Sequence, residues 1–231
     1  MAKIIGILGG LSPESTVEYY LYLTRTYSER YGNYAYPEII IYSVSFQPYV
    51  DWPASGRWDL IANGLAEAAQ KLEAAGADFI VIAANTMHLV IDQVRAAVRI
   101  PVLSLLDAVG DAVLARGLQT VGLLGTLSTM EKGFYQEALA RRGLNVLTPE
   151  ADDRRYVSDV IYNELVAGKF RPEARSRYVE IIQRLASRGA QGVILGCTEI
   201  PLLLSQADTA LPLFDTTRIH AEAALKEAIS Q

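Results

Sequence analysis

Cysteine is almost absent from this chain: there is one, Cys197, in 231 residues. One cysteine excludes an internal disulfide, and with only two histidines beside it a structural zinc site lacks ligands. That usage suits a reducing compartment. No stretch reaches 18 consecutive apolar residues, so no membrane span is expected. No basic run occurs and the net charge is −5, which argues against nucleic acid as a partner. The opening stretch Met1 to Leu8 is apolar but short, and it meets Gly9-Gly10 and then polar Ser12-Pro13-Glu14. It lacks the long apolar region and cleavage site of a signal peptide, so a cytoplasmic chain is expected. Also missing are the dinucleotide fingerprint G-x-G-x-x-G and the phosphate loop G-x-x-x-x-G-K-[ST]. No low-complexity segment or flexible linker interrupts the sequence.

What the chain does have is apolar residues, 51% of it, which is ample for a core, and a length that fits one large or two small domains. Residues 3–8 read as a buried strand. Ser12 caps a helix that begins at Pro13 and runs to about Tyr31. A strand is expected over 38–45. The stretch 46–58, with Pro48, Pro53 and Gly56 among Tyr49, Trp52 and Trp58, reads as a loop placed to cover a site or pinned by its aromatics. Helix 58–75, strand 78–83, helix 86–98, strand 100–105 and a linking helix 107–117 follow. From Thr120 the pattern resumes with a strand, a helix near 130–143, strand 145–148, helix 152–165, a turn at 168–172, helix 172–188, strands 191–196 and 211–214, and a closing helix 217–229. Strands that alternate with helices in this way argue for parallel sheets.

The chain also repeats itself. Ile5 to Ser12 matches Val121 to Ser128, 116 residues on. Ala75 to Thr86 matches Arg188 to Glu199, 113 residues on, and Ile100 to Ser104 matches Leu211 to Asp215, 111 residues on. Three matches in one order, at nearly one offset, argue for two α/β halves of common ancestry. The fold expected is therefore α/β, with two pseudo-symmetric lobes, each a parallel sheet flanked by helices, and an active site in the cleft between them. The lobes are expected over 1–107 and 108–231, with the C-terminal helix free to cross back to the first.

The second match sets Ala84 opposite Cys197. A lone cysteine is more often a small buried hydrophobe than a reactive group. Cys197, however, follows an apolar strand directly, where parallel sheets present ligands and reactive side chains. Two such turns on either side of one carbon suit removal of a proton from one face and its return on the other. A thiol serves in that work, with a reference pKa of about 8.5.

Three sets of residues carry a resemblance to a known family. They are Gly9-Gly10-Leu11-Ser12-Pro13-Glu14, then Ala84-Asn85-Thr86-Met87-His88, then Gly196-Cys197-Thr198-Glu199; Ile161 to Leu165 and Phe214-Asp215 match a subgroup pattern. Over essentially its whole length the chain resembles the aspartate/glutamate racemases that need no pyridoxal phosphate. The resemblance implies a cofactor-free isomerase, often a homodimer, that acts on a small acidic amino acid, with Cys197 as an acid/base residue and no metal. It implies substrate contacts from Gly10, Leu11, Gln47, Asn85, Thr86, Thr126, Thr129, Thr198 and Glu199, and roles for His88 and Glu164. Asn85, Thr86 and the other post-strand residues equally suit helix caps, and His88 equally suits packing on a helix face. One departure stands out. The family's first catalytic residue, usually cysteine and in some members threonine, comes immediately before Asn-Thr, and here that position is Ala84. A methyl group carries no proton. A small-carboxylate binding protein, or a one-base lyase or isomerase on the same fold, therefore stands beside the racemase reading.

Overall fold

A computed structural model describes residues 2–230. The chain forms two compact units. The first runs to Leu105 and takes back the chain from Thr217; the second is Leu106–Thr216.

In the first unit the elements are β1 (Ile5–Gly9), α1 (Pro13–Tyr31), β2 (Ile39–Ser43), α2 (Gln47–Ala54), α3 (Trp58–Ala74), β3 (Phe79–Ile82), α4 (Ile91–Ala96) and β4 (Val102–Leu103). The four strands are parallel, in the order β2-β1-β3-β4. Side chains alternate across a strand, so each strand feeds two cores. Ile5, Ile7, Phe79 and Val81 pack with Tyr19 and Leu23 of α1 and with Ala221, Ala224, Leu225 and Ala228 from near the carboxyl end. Leu8, Ile80 and Ile82 point the other way, to Ile61, Leu65 and Leu72 of α3 and Val94 of α4. Each leucine, isoleucine, valine or phenylalanine side chain among these, taken fully out of water, contributes about 1.5–3 kcal/mol.

In the second unit α5 (Leu105–Leu114) leads into β5 (Thr120–Leu124), α6 (Leu127–Glu131), α7 (Phe134–Ala140), β6 (Asn145–Leu147), α8 (Ala151–Asn163), α9 (Pro172–Ser187), β7 (Val193–Leu195), α10 (Ile200–Leu203) and β8 (Leu213–Asp215); α11 (Thr216–Ile229) then supplies the alanine-rich face just described. The strands are again parallel, in the order β6-β5-β7-β8. Gly122 lets α9 come close to β5, since a Cβ there would lie 2.9 Å from Leu185 Cδ1.

The ladder registers reproduce the repeat. Gly6 pairs with Ile80 and Gly122 with Val193; Ile80 pairs with Val102 and Val193 with Leu213. The 116-residue step from Gly6 to Gly122, the 113-residue step from Ile80 to Val193 and the 111-residue step from Val102 to Leu213 are therefore one structural equivalence.

Three expected elements differ. The stretch 46–58 is not a loop, because its centre is the helix α2. Pro48 falls in the first turn, where its fixed φ suits a helix, and Gly56 follows the end with φ +72°. Tyr49 is buried, with its ring 5.2 Å from that of Trp52. The expected helix 86–98 is a 3-10 turn, Thr86–Val90, followed by α4. The expected helix 130–143 is split into α6 and α7 at Gly133, whose φ of +79° no regular helix accepts. Among the described residues, no helix is long and apolar enough to cross a membrane.

Candidate active site

The chemistry in the second unit gathers at the carboxyl ends of β5 and β7. Gly196 continues β7 with its N–H on Leu124 O at 2.7 Å. Gly125 and Gly196 leave room for one another and for Thr129. A Cβ on Gly125 would lie 3.1 Å from Gly196 O, and one on either glycine would press on the Thr129 methyl, at 2.9 Å and 3.1 Å. Thr126 caps α6, its Oγ1 accepting from the Thr129 N–H at 3.3 Å and lying 3.1 Å from the Thr129 hydroxyl. Thr129, at 0% exposure, thus sits behind the turn and supports it.

Next in the chain come Cys197, Thr198 and Glu199. Cys197 is half-buried and unpaired with any second thiol. Its Sγ donates to Glu199 Oε2 at 2.8 Å, and the Thr198 hydroxyl donates to the same oxygen at 2.8 Å. Glu199 is only 7% exposed, so its carboxylate depends on these donors rather than on bulk water. Burial pushes the Cys197 thiol well above the usual range, and the neighbouring Glu199 charge and hydrogen bond add to this. The backbone N–H groups of Glu199 and Thr198 act the other way, favouring the thiolate.

Tyr162, near the end of α8, lies within the Ile161 to Leu165 motif, whose pattern in the sequence gives it no role of its own. The residue is 58% exposed, its phenol is hydrogen-bonded to Thr126, and desolvation, then the charges of Cys197 and Glu199, raise its pKa. Glu164 ends α8 with Oε2 buried, making no hydrogen bond and lying 3.8 Å from Arg171 Nε. Tyr178 of α9 is buried, with its hydroxyl on Val157 O at 2.9 Å.

In the first unit the equivalent turn follows β3. Ile82 pairs with Leu8 as Leu195 pairs with Leu124, so Ala84 and Cys197 both lie two residues past the last pair. Ala84 and Asn85 are buried and Thr86 is partly so. His88, also buried, closes the turn from behind. Its ring places Nδ1 2.8 Å from Ala84 O, while Nε2 accepts the Leu105 N–H at 3.0 Å. A nitrogen that accepts carries no proton, so these bonds assign the His88 proton to Nδ1, donating to Ala84 O.

The glycine loop after β1 is built around backbone contacts. Gly10 has φ +82°, and a Cβ there would stand 2.3 Å from Val44 O. Its N–H, expected from sequence to meet a carboxylate, donates to Thr16 Oγ1 at 2.8 Å. Leu11 is buried. Ser12 caps α1 as expected, accepting from the Ser15 N–H at 3.3 Å, and the Ser15 hydroxyl donates to Ala83 O at 2.7 Å. The start of α1 is thereby tied to the end of β3. Gln47 is exposed on α2, donating to Asp51 at 2.9 Å.

Gln47 and Glu164 aside, the candidate residues form two groups. Thr126, Thr129, Cys197, Thr198 and Glu199 cluster in the second unit, and Gly10, Leu11, Ala84, Asn85, Thr86 and His88 lie at strand ends of the first. Among the described residues, no group of three or more histidine, cysteine, aspartate or glutamate side chains is placed to hold a metal ion.

Comparison with known proteins agrees with this geometry. The Asp/Glu/Hydantoin racemase family model matches residues 8–224. The chain is 26% identical to the broad specificity amino-acid racemase RacX of Bacillus subtilis (strain 168) over 225 residues, 95% of both chains. A solved structure of a candidate Asp/Glu racemase from Yersinia pestis is 41% identical, covers 99% of this chain and 100% of its own, and superposes with a TM-score of 0.93. An aspartate racemase homologue from Pyrococcus horikoshii OT3 is 39% identical over 99% of this chain and 100% of its own, with a TM-score of 0.85. With the two matched four-stranded sheets and the post-strand turns of Ala84 and Cys197, these similarities place the chain in the Asp/Glu/Hydantoin racemase family.

Proposed function

We propose that this chain is an amino-acid isomerase that removes and returns the Cα proton of aspartate, glutamate or a related small amino acid, without pyridoxal phosphate, and that Cys197 is its acid/base residue. The observation that carries the reading is the Cys197 turn, where a half-buried thiol stands directly past a parallel strand, with two backbone N–H groups and a carboxylate on its sulfur. Such a sulfur takes a proton as thiolate and gives one as thiol, which are the two half-reactions of racemisation. Substrate binding is assigned to the post-strand residues Asn85, Thr86, Thr126 and Thr198, whose side chains are neutral donors, and to Tyr162 at the exposed rim. A homodimeric, cytoplasmic protein completes the proposal.

Ala84 favours a restricted form of this activity. At the position equivalent to Cys197 it offers no atom that holds a proton. Loss of one general acid/base group lowers a rate by about 10²–10⁴-fold. Exchange at the face served by Cys197 should therefore outrun inversion. Ala84 also keeps a second reading in view, a small-carboxylate binding protein or one-base lyase.

The test is proton NMR of L- and D-aspartate and L- and D-glutamate with the protein in D₂O, with chirality checked at the end. Loss of the Cα signal from one enantiomer, faster than inversion, is the expected result. Binding without exchange would leave the binding protein, and an unsaturated or decarboxylated product would leave the lyase.

A further inference from the structure

Large apolar side chains left at the surface of the second unit are few, and they are not scattered. Among its described residues they are Leu114, Tyr162, Val166, Phe170 and Leu202. Four of the five lie on elements that adjoin the Cys197 turn. Tyr162 is near the end of α8, and Val166 is in the 3-10 turn Leu165–Ala167 that follows. Phe170 comes two residues after Gly168, which closes that turn with φ +68°. Leu202 is on α10, which begins three residues past Cys197 and packs against the same 3-10 turn.

These elements already have an inward apolar side. Ile161 and Leu165, four residues apart, are buried, as are Ile200 and Leu203 of α10. Tyr162, Val166 and Leu202 form a second, outward side that the fold itself does not use. A single exposed apolar residue needs no explanation, but a group of them beside a reactive side chain marks a contact. Tyr162 joins the group to the site, since its phenol is hydrogen-bonded to Thr126 and senses the charges of Cys197 and Glu199.

The charge on this side of the site is negative. The groups that act on the Cys197 thiol are Glu199 and Thr198, with no arginine or lysine among them. Glu164, at the end of α8, is a second carboxylate, and its Oε2 makes no hydrogen bond. The arginines near it are engaged. Arg171 Nε lies 3.8 Å from Glu164 Oε2, and Arg175 Nε donates to Leu203 O at 2.9 Å. A substrate side chain that ends in a carboxylate would meet like charge here, whereas an apolar one would meet apolar surface.

We propose that the rim formed by Tyr162, Val166, Phe170 and Leu202 receives the substrate's side chain, so that the Cys197 turn acts on amino acids with an apolar side chain, such as leucine, methionine or phenylalanine, ahead of aspartate and glutamate. This names the substrate class of the proposed site and rests on the reading of Cys197 as its acid/base residue.

The experiment compares deuterium uptake at Cα for alanine, leucine, methionine, phenylalanine, aspartate and glutamate. One methylene in an apolar pocket changes kcat/KM by about 10-fold to 200-fold, so leucine should exceed aspartate by about tenfold or more. Val166→Ser and Leu202→Ser should each lower the leucine value by about tenfold. Alanine, whose methyl group is too short to reach the rim, should change little in either variant. Val166→Lys, which sets a cation in the rim, should turn the preference towards aspartate. Lys169→Ala should leave the ratio of leucine to aspartate unchanged. Aspartate handled as well as leucine, or equal losses for alanine and leucine in the serine variants, would overturn the proposal. A Lys169→Ala protein that loses aspartate alone would also overturn it, by giving the substrate a carboxylate clamp. So would sedimentation showing that Leu202→Ser breaks an association of two chains while the ratio stays fixed, because the patch would then belong to a second copy. A separate measurement needs no turnover. Cys197 of the native chain is alkylated with iodoacetamide in the presence of leucine or aspartate and followed by intact-protein mass spectrometry. Leucine should protect at about tenfold lower concentration than aspartate; protection by neither, or better protection by aspartate, would reject the rim. A native chain that exchanges no amino acid but is protected by leucine would sink the proposed activity and leave the rim standing.

Discussion

His88 and His220 meet edge to face in the first unit, with ring centroids 5.7 Å apart and an interplanar angle of 75°. Both are buried, and neither faces water. His220 lies 2.7 Å from the Tyr19 hydroxyl through Nδ1 and 3.3 Å from Leu103 O through Nε2. A carbonyl only accepts, so Nε2 carries the proton and Nδ1 accepts from Tyr19. With His88 protonated on Nδ1, the pair forms two neutral rings of opposite tautomer, bracing the Ala84 turn on one side and α1 and β4 on the other.

Burial, and then the neighbouring His88, pull the His220 pKa from 6.5 down to about 3. The sign of the consequence follows from proton counting. Between about 3 and 6.5 the unfolded chain binds a proton at this site that the folded chain excludes, so stability falls as pH falls through that window. The slope is about 1.4 kcal/mol per pH unit at most. Urea unfolding at pH 7, 6 and 5 should therefore show a steeper loss for the native chain than for His220→Gln, which has no proton to bind. Parallel losses in the two proteins would show that His220 is not excluded from protonation in the fold.

Gly10→Ala tests the loop after β1. The substitution sets a Cβ 2.3 Å from Val44 O and 2.7 Å from Val44 N, at a φ of +82° that L residues rarely adopt. Relief requires β1 and the chain after β2 to part. We expect destabilisation of roughly 1–3 kcal/mol from backbone strain and steric overlap, read as a lower urea midpoint with an unchanged slope. Gly32→Ala is the control, since a Cβ there meets nothing within 4 Å although φ is +64°. Its smaller loss isolates the strain from the overlap.

These local rules also explain what the sequence made legible. Ser12 and Pro13 announced α1 because a cap and a first-turn proline act within four residues of one another. The equivalence of Ala84 with Cys197 was legible because two strands of the same register leave the same spacing in the chain. Helix α2 was not, because proline and glycine ordinarily break helices, whereas here they start and end one whose hold is the burial of Tyr49. The Cys197–Glu199 bond was out of reach for another reason. Two residues apart, they meet only through a turn conformation and a rotamer that spacing does not encode. His88 could be named as a packed histidine, but its bond to the Leu105 N–H spans 17 residues and depends on the path of the chain between.

Asp153 of α8 tests a buried charge. It is 7% exposed and receives Arg177 at 3.0 Å and Arg184 through two nitrogens, at 2.9 Å and 3.0 Å. Both arginines lie on α9, so one carboxylate ties the two helices together. Breaking a buried pair costs about 3–5 kcal/mol when a charge is left stranded. The arginine side chains here are 44% and 43% exposed and can reach water, which reduces the penalty. Asp153→Asn should therefore cost about 1–3 kcal/mol, and added salt should narrow the gap from the native chain. A salt-independent difference would point to lost hydrogen-bond geometry rather than lost charge.

Ala84→Cys bears most directly on the chemistry. The side chain at 84 follows β3 as Cys197 follows β7, on a backbone whose carbonyl His88 holds from behind. Position 84 is a buried alanine beside Met87 and Val90, so a thiol there enters a largely apolar setting. If the proposed activity is right, the substitution should raise the rate of inversion towards the rate of one-sided exchange, a gain of about 10²-fold or more, and exchange from the second enantiomer should appear. Ala84→Ser supplies a hydroxyl of nearly the same size but a far weaker acid, and should give much less. Chiral chromatography of aspartate and glutamate after incubation measures inversion, and deuterium uptake at Cα measures exchange. Equal rates of the two in the native chain would mean that a second acid/base group already serves that face. Exchange that responds to Ala84→Cys but not to loss of Cys197 would assign the chemistry to the wrong turn.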